Sequence, residues 1–98
     1  MDYLFEVADK TGRKIRLTKK QWKHINNKHP SVVNYFREIK ETLQNPDAIT
    51  ESDINGDVHF YYKYYKYLKS PHKYLLVIVK YLNGKGFIIS IFFEKNIK

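Results

Sequence analysis

The chain carries its clearest structural signal at residues 74–93, where it reads YLLVIVKYLNGKGFIISIFF. The runs Leu75–Val79 and Phe87–Phe93 are almost continuously apolar and rich in β-branched residues, which is typical of strands in the centre of a sheet. Asn83-Gly84 between them suits a type I′ turn, in which both central residues have positive φ. This hairpin therefore supplies the two central strands, predicted at Tyr74–Leu82 and Gly86–Phe93.

Further strands are predicted near the N-terminus and between residues 48 and 67. Residues 3–8 alternate between two sets of side chains, the turn sequence DKTG follows at 9–12, and a second short strand is predicted at Lys14–Leu17. These elements form an N-terminal hairpin. A short edge strand is predicted at Ala48–Glu51 and a long aromatic strand at Val58–Tyr67.

Two helices are predicted between the N-terminal hairpin and the edge strand. The first runs from Lys19 to Lys28, because Thr18 can cap its first turn and Gln21 can reach back to complete a capping box. Pro30 disfavours helical geometry at His29, so the helix is predicted to end at that point. The second helix has an apolar stripe on one face, made of Val32, Phe36, Ile39 and Leu43.

The length and composition fit one folded domain, residues 1–98. Its predicted class is α+β, with an N-terminal hairpin and two helices packed on a twisted antiparallel sheet. The chain has no cysteine, which excludes a disulfide framework, a zinc ribbon and a thiol nucleophile. No apolar run approaches the ~20 residues that span a bilayer, so we expect no membrane partner and a cytoplasmic location, although a secreted or delivered effector would have the same composition.

Basic and acidic residues occupy different parts of the chain. Lys and Arg number 18 against 10 Asp and Glu, a formal net charge of +8. No acid occurs at residues 10–37 or 58–93, whereas acids concentrate at residues 38–57. Two basic segments brought together by folding would form a surface suited to a phosphate backbone. RNA is the expected partner, and an acidic antitoxin or immunity protein would fit the same surface.

Tyrosines and lysines alternate at residues 61–67, which read YYKYYKY. Exposed tyrosines can stack on unpaired bases while neighbouring lysines bind the phosphates. Tyrosine also favours strands for purely structural reasons, so this segment has a second interpretation. The predicted RNA-binding residues are Lys20, Lys23, Tyr61, Lys63 and Lys66.

The histidines are candidates for proton transfer. Metal-independent RNA cleavage needs a base for the 2′-hydroxyl and an acid for the leaving 5′ oxygen, and the ordinary histidine pKa of about 6.5 suits both roles. His24 and His29 lie about 140° apart around a helix, which is a poor arrangement for a metal pair. We therefore predict no metal and no cofactor. Each also has a structural alternative, His24 as a surface residue and His29 at the negative end of the helix dipole.

Two other histidines have no assigned role. His59 is the alternate if His24 is structural, and His72 is predicted to be an ordinary loop residue.

Four motifs follow one another along the chain: FEVADKTGR at 5–13, WKHINNKHP at 22–30, NPD at 45–47 and FIISIF at 87–92. In this order they resemble phage-associated nuclease domains of the barnase, EndoU, colicin and RelE-like group, over nearly the whole chain. The resemblance implies helices followed by a twisted antiparallel sheet. It also implies a metal-independent ribonuclease site spread across the sheet face and the helix.

The resemblance nominates four catalytic residues in this chain. His24 and His29 would exchange protons, Lys80 would steady the phosphate, and Ser90 would hydrogen-bond to it. The residues themselves support the last two, since a charge ends one apolar strand and a hydroxyl interrupts another. A snorkelling lysine and a hydrogen-bonded core serine are the structural alternatives.

The predicted function is a metal-independent endoribonuclease of the toxin or mobile-element effector type, which cleaves RNA through a 2′,3′-cyclic phosphate. The group often has a threonine in the last strand, followed by a small residue and an aromatic one. Here Ser90 is followed by Ile91-Phe92. The alternatives are therefore a catalytically inactive RNA-binding module of the same fold, and a protein-interaction domain that binds an acidic partner.

Overall fold

The computed structural model describes residues 3–68 and 71–98, which form a six-stranded sheet and two α-helices. The elements in chain order are β1 Tyr3–Ala8, β2 Lys14–Thr18, α1 Lys19–Lys28, a 3₁₀ turn Pro30–Val32, α2 Phe36–Gln44, β3 Ala48–Glu51, β4 Val58–Tyr64, β5 Tyr74–Leu82 and β6 Lys85–Glu94. The strand order is β1-β2-β6-β5-β4-β3. The two strands predicted to be central, β5 and β6, are therefore central.

The sheet is mixed, so the prediction of an antiparallel sheet is wrong at one pairing. β2 runs parallel to β6, with Ile15 opposite Gly86 and Arg16 opposite Phe87. The other neighbouring strands pair antiparallel, including the predicted N-terminal hairpin of β1 and β2. Local patterns identify hairpin partners, but β2 and β6 lie far apart in sequence and their pairing depends on how the two hairpins dock.

Turn and cap chemistry fixes the ends of several elements. Asn83 and Gly84 have φ values of 54° and 77°, which confirms the predicted type I′ turn. At the start of α1, the Thr18 hydroxyl accepts a hydrogen bond from the Gln21 amide at 3.1 Å. The Gln21 side chain does not reach back, and its Nε2 instead donates to the Ile89 carbonyl at 2.7 Å. This bond ties α1 to β6 beyond the end of β2.

Two elements differ from their predicted bounds. β4 ends at Tyr64 and not at Tyr67, because Tyr65 is buried against α2, where its hydroxyl donates to Glu41 at 2.7 Å. The apolar stripe predicted for the second helix is divided, since Val32 lies in the 3₁₀ turn and α2 begins at Phe36. In both places tertiary packing overrides the local pattern.

The core lies between the helices and one face of the sheet. Its fully buried aliphatic side chains come from both layers, and they include Ile25, Ile39 and Leu43 from the helices and Ile15, Leu17, Leu75, Val77, Val79 and Ile91 from the sheet. Each contributes about 1.5–3 kcal/mol on burial. Strand alternation puts Phe60, Ile78, Lys80 and Ser90 on the opposite face, where they are partly exposed. Within the described ranges, neither helix is long and apolar enough to cross a membrane.

A buried hydrogen-bond network fastens the turn between β1 and β2 to the sheet. The Asp9 carboxylate accepts hydrogen bonds from the amide and hydroxyl of Thr11, and from the amide and Nε of Arg13, at 2.7–3.1 Å. It also accepts one from the Tyr81 hydroxyl at 2.8 Å. Tyr61 donates to the Tyr81 oxygen, and the Arg13 guanidinium lies over the Tyr81 ring. One carboxylate thus joins the N-terminal hairpin to β4 and β5.

Candidate active site

A cleft of about 660 Å³ lies at the end of the sheet where β5 begins and β6 ends. One wall comes from the connection between α1 and α2, the other from the connection between β4 and β5, and the floor from β6. The cleft is lined by His29, Ser31 and Tyr35 on the first wall, by Tyr67, Leu68 and His72 on the second, and by Phe92 and Phe93 on the floor.

His29 is held at the end of α1 with its ring against β6. Its backbone N–H donates to the Ile25 carbonyl at 2.7 Å, and the following Pro30 ends the helix as predicted. The imidazole stacks on Phe92, with ring centroids 5.1 Å apart and an interplanar angle of 27°. Within the described part of the chain, neither ring nitrogen has a hydrogen-bond partner. A stacked imidazole of this kind is oriented but keeps both nitrogens for a ligand.

His72 lies outside the helices and strands, as predicted for a loop residue, and it lines the second wall of the cleft. Tyr74, two residues later, pairs with Glu94 at the end of β6. That register brings the segment before β5 beside Phe92 and Phe93, and so into the cleft with His29. Nothing in the local sequence around His72 carries this information, because it depends on the pairing of β5 with β6.

The second wall is fastened to α2 by tyrosine hydroxyls. Tyr67 donates to the Glu38 carboxylate at 2.6 Å, and the Tyr65 hydroxyl donates to the Glu41 carboxylate at 2.7 Å. Desolvation of the Tyr67 hydroxyl, together with its hydrogen bond to Glu38, raises the pKa of Tyr67 to about 12. The Tyr67 phenol therefore stays protonated at neutral pH and serves as part of the wall.

Lys80 and Ser90 are neighbours on the open face of the sheet. Lys80 pairs with Phe87, and Ser90 pairs with Ile78, two residues before Lys80 in β5. Diagonal neighbours of this kind lie about 7–8 Å apart. Ile89 is left unpaired in a β-bulge next to Ser90, and bulges often re-aim side chains beside active sites.

The open face and the cleft are continuous through Phe92. Phe92 lies two residues after Ser90 and so shares its face of the strand. The same Phe92 ring stacks on His29 and forms part of the cleft floor. Ser90 and Lys80 thus lie on the sheet face that reaches the cleft at Phe92, whereas His29 lines the cleft itself and neither Ser90 nor Lys80 does.

His24 lies outside the cleft. It is exposed on α1, about 140° around the helix from His29 and about 60° from Gln21, whose side chain contacts β6. The structure therefore places His24 on the flank of α1 beside β6 and does not bring the two histidines together.

Three of the five predicted RNA-binding residues are exposed lysines. Lys20 and Lys23 lie on α1, and Lys66 lies in the turn after β4. No ion pair within residues 3–68 and 71–98 engages their ammonium groups. They are therefore available to an external anion.

The other two predicted RNA-binding residues are used inside the protein. Tyr61 is only 2% exposed and its hydroxyl is bonded to Tyr81, so the prediction of an exposed stacking ring at Tyr61 is wrong. Lys63 donates to the Asn45 carbonyl at 2.9 Å and pairs with Asp47 at 3.7 Å. These contacts hold β4 against the end of α2 and leave little of the Lys63 charge for a ligand.

The described residues contain no group of three or more His, Asp or Glu side chains placed to hold a metal ion.

Comparison with known proteins identifies the family. A family model described as phage-Barnase-EndoU-ColicinE5/D-RelE like nuclease2 matches residues 4–98, which is almost the whole chain. No curated protein and no solved structure matches the chain. An α+β domain with two helices and a mixed sheet of six strands within the described residues is consistent with that family. The chain therefore belongs to the family of phage Barnase-EndoU-ColicinE5/D-RelE like nucleases.

Proposed function

We propose that the protein is an endoribonuclease that cleaves RNA by metal-independent general acid-base catalysis through a 2′,3′-cyclic phosphate. The observation that carries this proposal is the cleft in which the His29 ring stacks on Phe92, with Ser90 and Lys80 further along the same face of the sheet as Phe92. A histidine, a cation and a hydroxyl are the groups that this reaction needs. Membership of a nuclease family supports a nucleic acid as the substrate.

The proposed step moves two protons. A base removes the 2′-hydroxyl proton, the 2′ oxygen attacks the phosphorus, and an acid protonates the 5′ oxygen as its bond to phosphorus breaks. His29 performs one of these transfers, because its stacked ring keeps both nitrogens open to the cleft. The sequence assigns the other transfer to His24. Lys80 and Ser90 stabilise the charge that develops on the phosphate oxygens.

The RNA backbone approaches along the lysines that have no internal ion pair. Lys20 and Lys23 are exposed on α1, and Lys66 is exposed in the turn after β4, next to Tyr67 of the second wall. Such contacts make binding weaken as salt increases. An acidic antitoxin would bind the same lysines and cover the site, as in a toxin or mobile-element effector.

An RNA-binding module without catalysis is the second candidate, because these lysines would bind RNA whether or not the cleft is active. Ser90 followed by Ile91, where the family resemblance leads us to expect a smaller residue, favours it. Cleavage assays on the variants described next separate the two functions.

Lys80→Ala and Ser90→Ala are each expected to lower kcat by about 10²–10³-fold, the loss typical of removing one group that stabilises the reacting oxygens. Lys85→Ala is the matched control, because Lys85 is an exposed lysine in the β5–β6 hairpin and away from Ser90. Single-turnover cleavage of a labelled oligoribonucleotide measures all three. Equal losses in Lys80→Ala and Lys85→Ala would show that only net charge matters and would contradict the assigned role of Lys80.

A further inference from the structure

The cleft contains a second histidine that the family resemblance does not nominate. We propose that His72 is the proton-transfer partner of His29, so that one histidine acts as the base and the other as the acid on the same phosphate. This inference rests on the proposed ribonuclease activity and replaces His24 in the second transfer.

The two histidines come from the two walls of the cleft. His29 ends α1, His72 precedes β5, and both line the space above Phe92 and Phe93. In an in-line displacement the attacking and leaving oxygens lie on opposite sides of the phosphorus, so the base and the acid must approach from opposite sides. A pair drawn from two walls meets this requirement. His24 shares α1 with His29 and lies outside the cleft.

The other titratable groups lining the cleft are unsuited to proton transfer at neutral pH. They are the phenols of Tyr35 and Tyr67, a group whose ordinary pKa is about 10. The Glu38 carboxylate, on α2, accepts the hydrogen bond of Tyr67, and desolvation together with this bond raises the pKa of Tyr67 to about 12. The floor, formed by Phe92 and Phe93, carries no titratable group. Among the described residues that line this cleft, histidine is thus the one residue type whose ordinary pKa lies near 7.

The residue after His72, Lys73, is anchored to the segment that follows β4. The Lys73 ammonium donates to the Leu68 carbonyl, and the Lys73 carbonyl accepts a hydrogen bond from the Tyr65 amide at 2.8 Å. Leu68 is 5% exposed and packs in the core. These contacts hold Lys73, the residue next to His72, to Tyr65 and Leu68, which are buried in the core, as a positioned acid or base requires.

The proton balance of the step is complete without a further reactant. The neutral histidine takes the 2′-hydroxyl proton while the bond from the 2′ oxygen to phosphorus forms. The protonated histidine gives its proton to the 5′ oxygen while the bond from phosphorus to that oxygen breaks. The products are a 2′,3′-cyclic phosphate and a 5′-hydroxyl, with the charges of the two histidines exchanged.

The test compares His72→Gln with His59→Gln, which serves as the control because His59, the alternate that the sequence offers to His24, contacts Glu51 and Tyr81 and does not line the cleft. On an oligoribonucleotide we expect His72→Gln to lower kcat by about 10²–10⁴-fold. The bell-shaped dependence of kcat on pH should also lose one limb, whereas His59→Gln keeps both. His72→Gln activity close to wild type with both limbs present would overturn the proposal.

A second substrate divides the roles within the pair. Uridine 3′-(4-nitrophenyl phosphate) has a leaving group that departs without protonation, so the variant that lacks the acid should recover most of its lost activity on it. One of His29→Gln and His72→Gln should recover and the other should not. If neither recovers, the two histidines do not share the step and the proposal fails.

Controls separate failure of this inference from failure of the proposed function. If the wild type cleaves RNA, His29→Gln is inactive and His72→Gln is fully active, only the role of His72 is overturned. A wild-type protein that cleaves no RNA overturns both. If His72→Gln melts well below wild type, His72→Ala takes its place, and recovery of its cleavage by added imidazole supports the role while no recovery contradicts it.

Discussion

His29→Gln is expected to lower kcat for RNA cleavage by about 10²–10⁴-fold, the usual contribution of a positioned acid or base. Glutamine keeps a polar side chain of similar length at the end of α1, but it cannot exchange a proton. The fold should persist, because the His29 amide that caps α1 is unchanged and Ile25 still anchors the helix in the core. Single-turnover cleavage, a thermal melt and filter binding of RNA measure these three properties.

His59→Gln is the matched control for His29→Gln, since it removes an imidazole from β4 and leaves the cleft intact. Its kcat should stay near wild type. An unchanged kcat in His29→Gln would remove His29 from the mechanism. A fall in RNA affinity that accounts for the whole loss of cleavage would show that His29 only binds the substrate.

Asp9→Ala is expected to lower the free energy of unfolding by about 1–3 kcal/mol, the cost of leaving a buried hydrogen-bond donor without its acceptor. The Asp9 side chain is 3% exposed and accepts hydrogen bonds from Thr11, Arg13 and Tyr81. Its removal leaves the Tyr81 hydroxyl, and donors of the β1–β2 turn, without their acceptor. Urea unfolding followed by circular dichroism measures the change, and Asp53→Ala, at an exposed position, is the control.

The pH dependence of the free energy of unfolding is a second test of the role of the Asp9 carboxylate. Burial alone would raise the pKa of Asp9, but the hydrogen bonds from Thr11, Tyr81 and Arg13 outweigh it and hold the pKa below its usual range. Folding therefore favours the ionised form, and its stabilisation is complete above the unfolded pKa of about 3.9 and is lost as the pH falls below it. As the pH falls from about 5 to about 3, the free energy of unfolding should decrease less in Asp9→Ala than in the wild type. Parallel curves for the two proteins would contradict this account.

Local chemistry predicts much of the fold. The capping threonine at Thr18 and the proline at Pro30 give both ends of α1, and Asn83-Gly84 gives the turn of the central hairpin. The parallel pairing of β2 with β6 is not predictable in this way, because it joins two hairpins that are distant in sequence. The early end of β4 is similar, since it depends on the contact of Tyr65 with α2.

In the candidate site, too, some residues are predictable from local sequence and others depend on how the strands pair. His29, Lys80 and Ser90 stand out as residues that break an apolar or helical pattern, and in the structure His29 lines the cleft while Lys80 and Ser90 lie on the neighbouring open face of the sheet. His72 breaks no pattern, and its place in the cleft follows from the register of β5 against β6. Tyr61 fails as a predicted RNA contact because strand alternation defines two faces but does not say which face the helices cover.

The most direct test of the account is the chemistry of the ends that the protein makes. The purified protein is incubated with single-stranded RNA of mixed sequence in excess chelator, with His29→Gln alongside, and the 3′ ends of the fragments are analysed. We predict 2′,3′-cyclic phosphate ends with the wild type and none with His29→Gln. Absence of cleavage, cleavage that returns only with a divalent ion, or fragments with 3′-hydroxyl ends would contradict metal-independent acid-base catalysis.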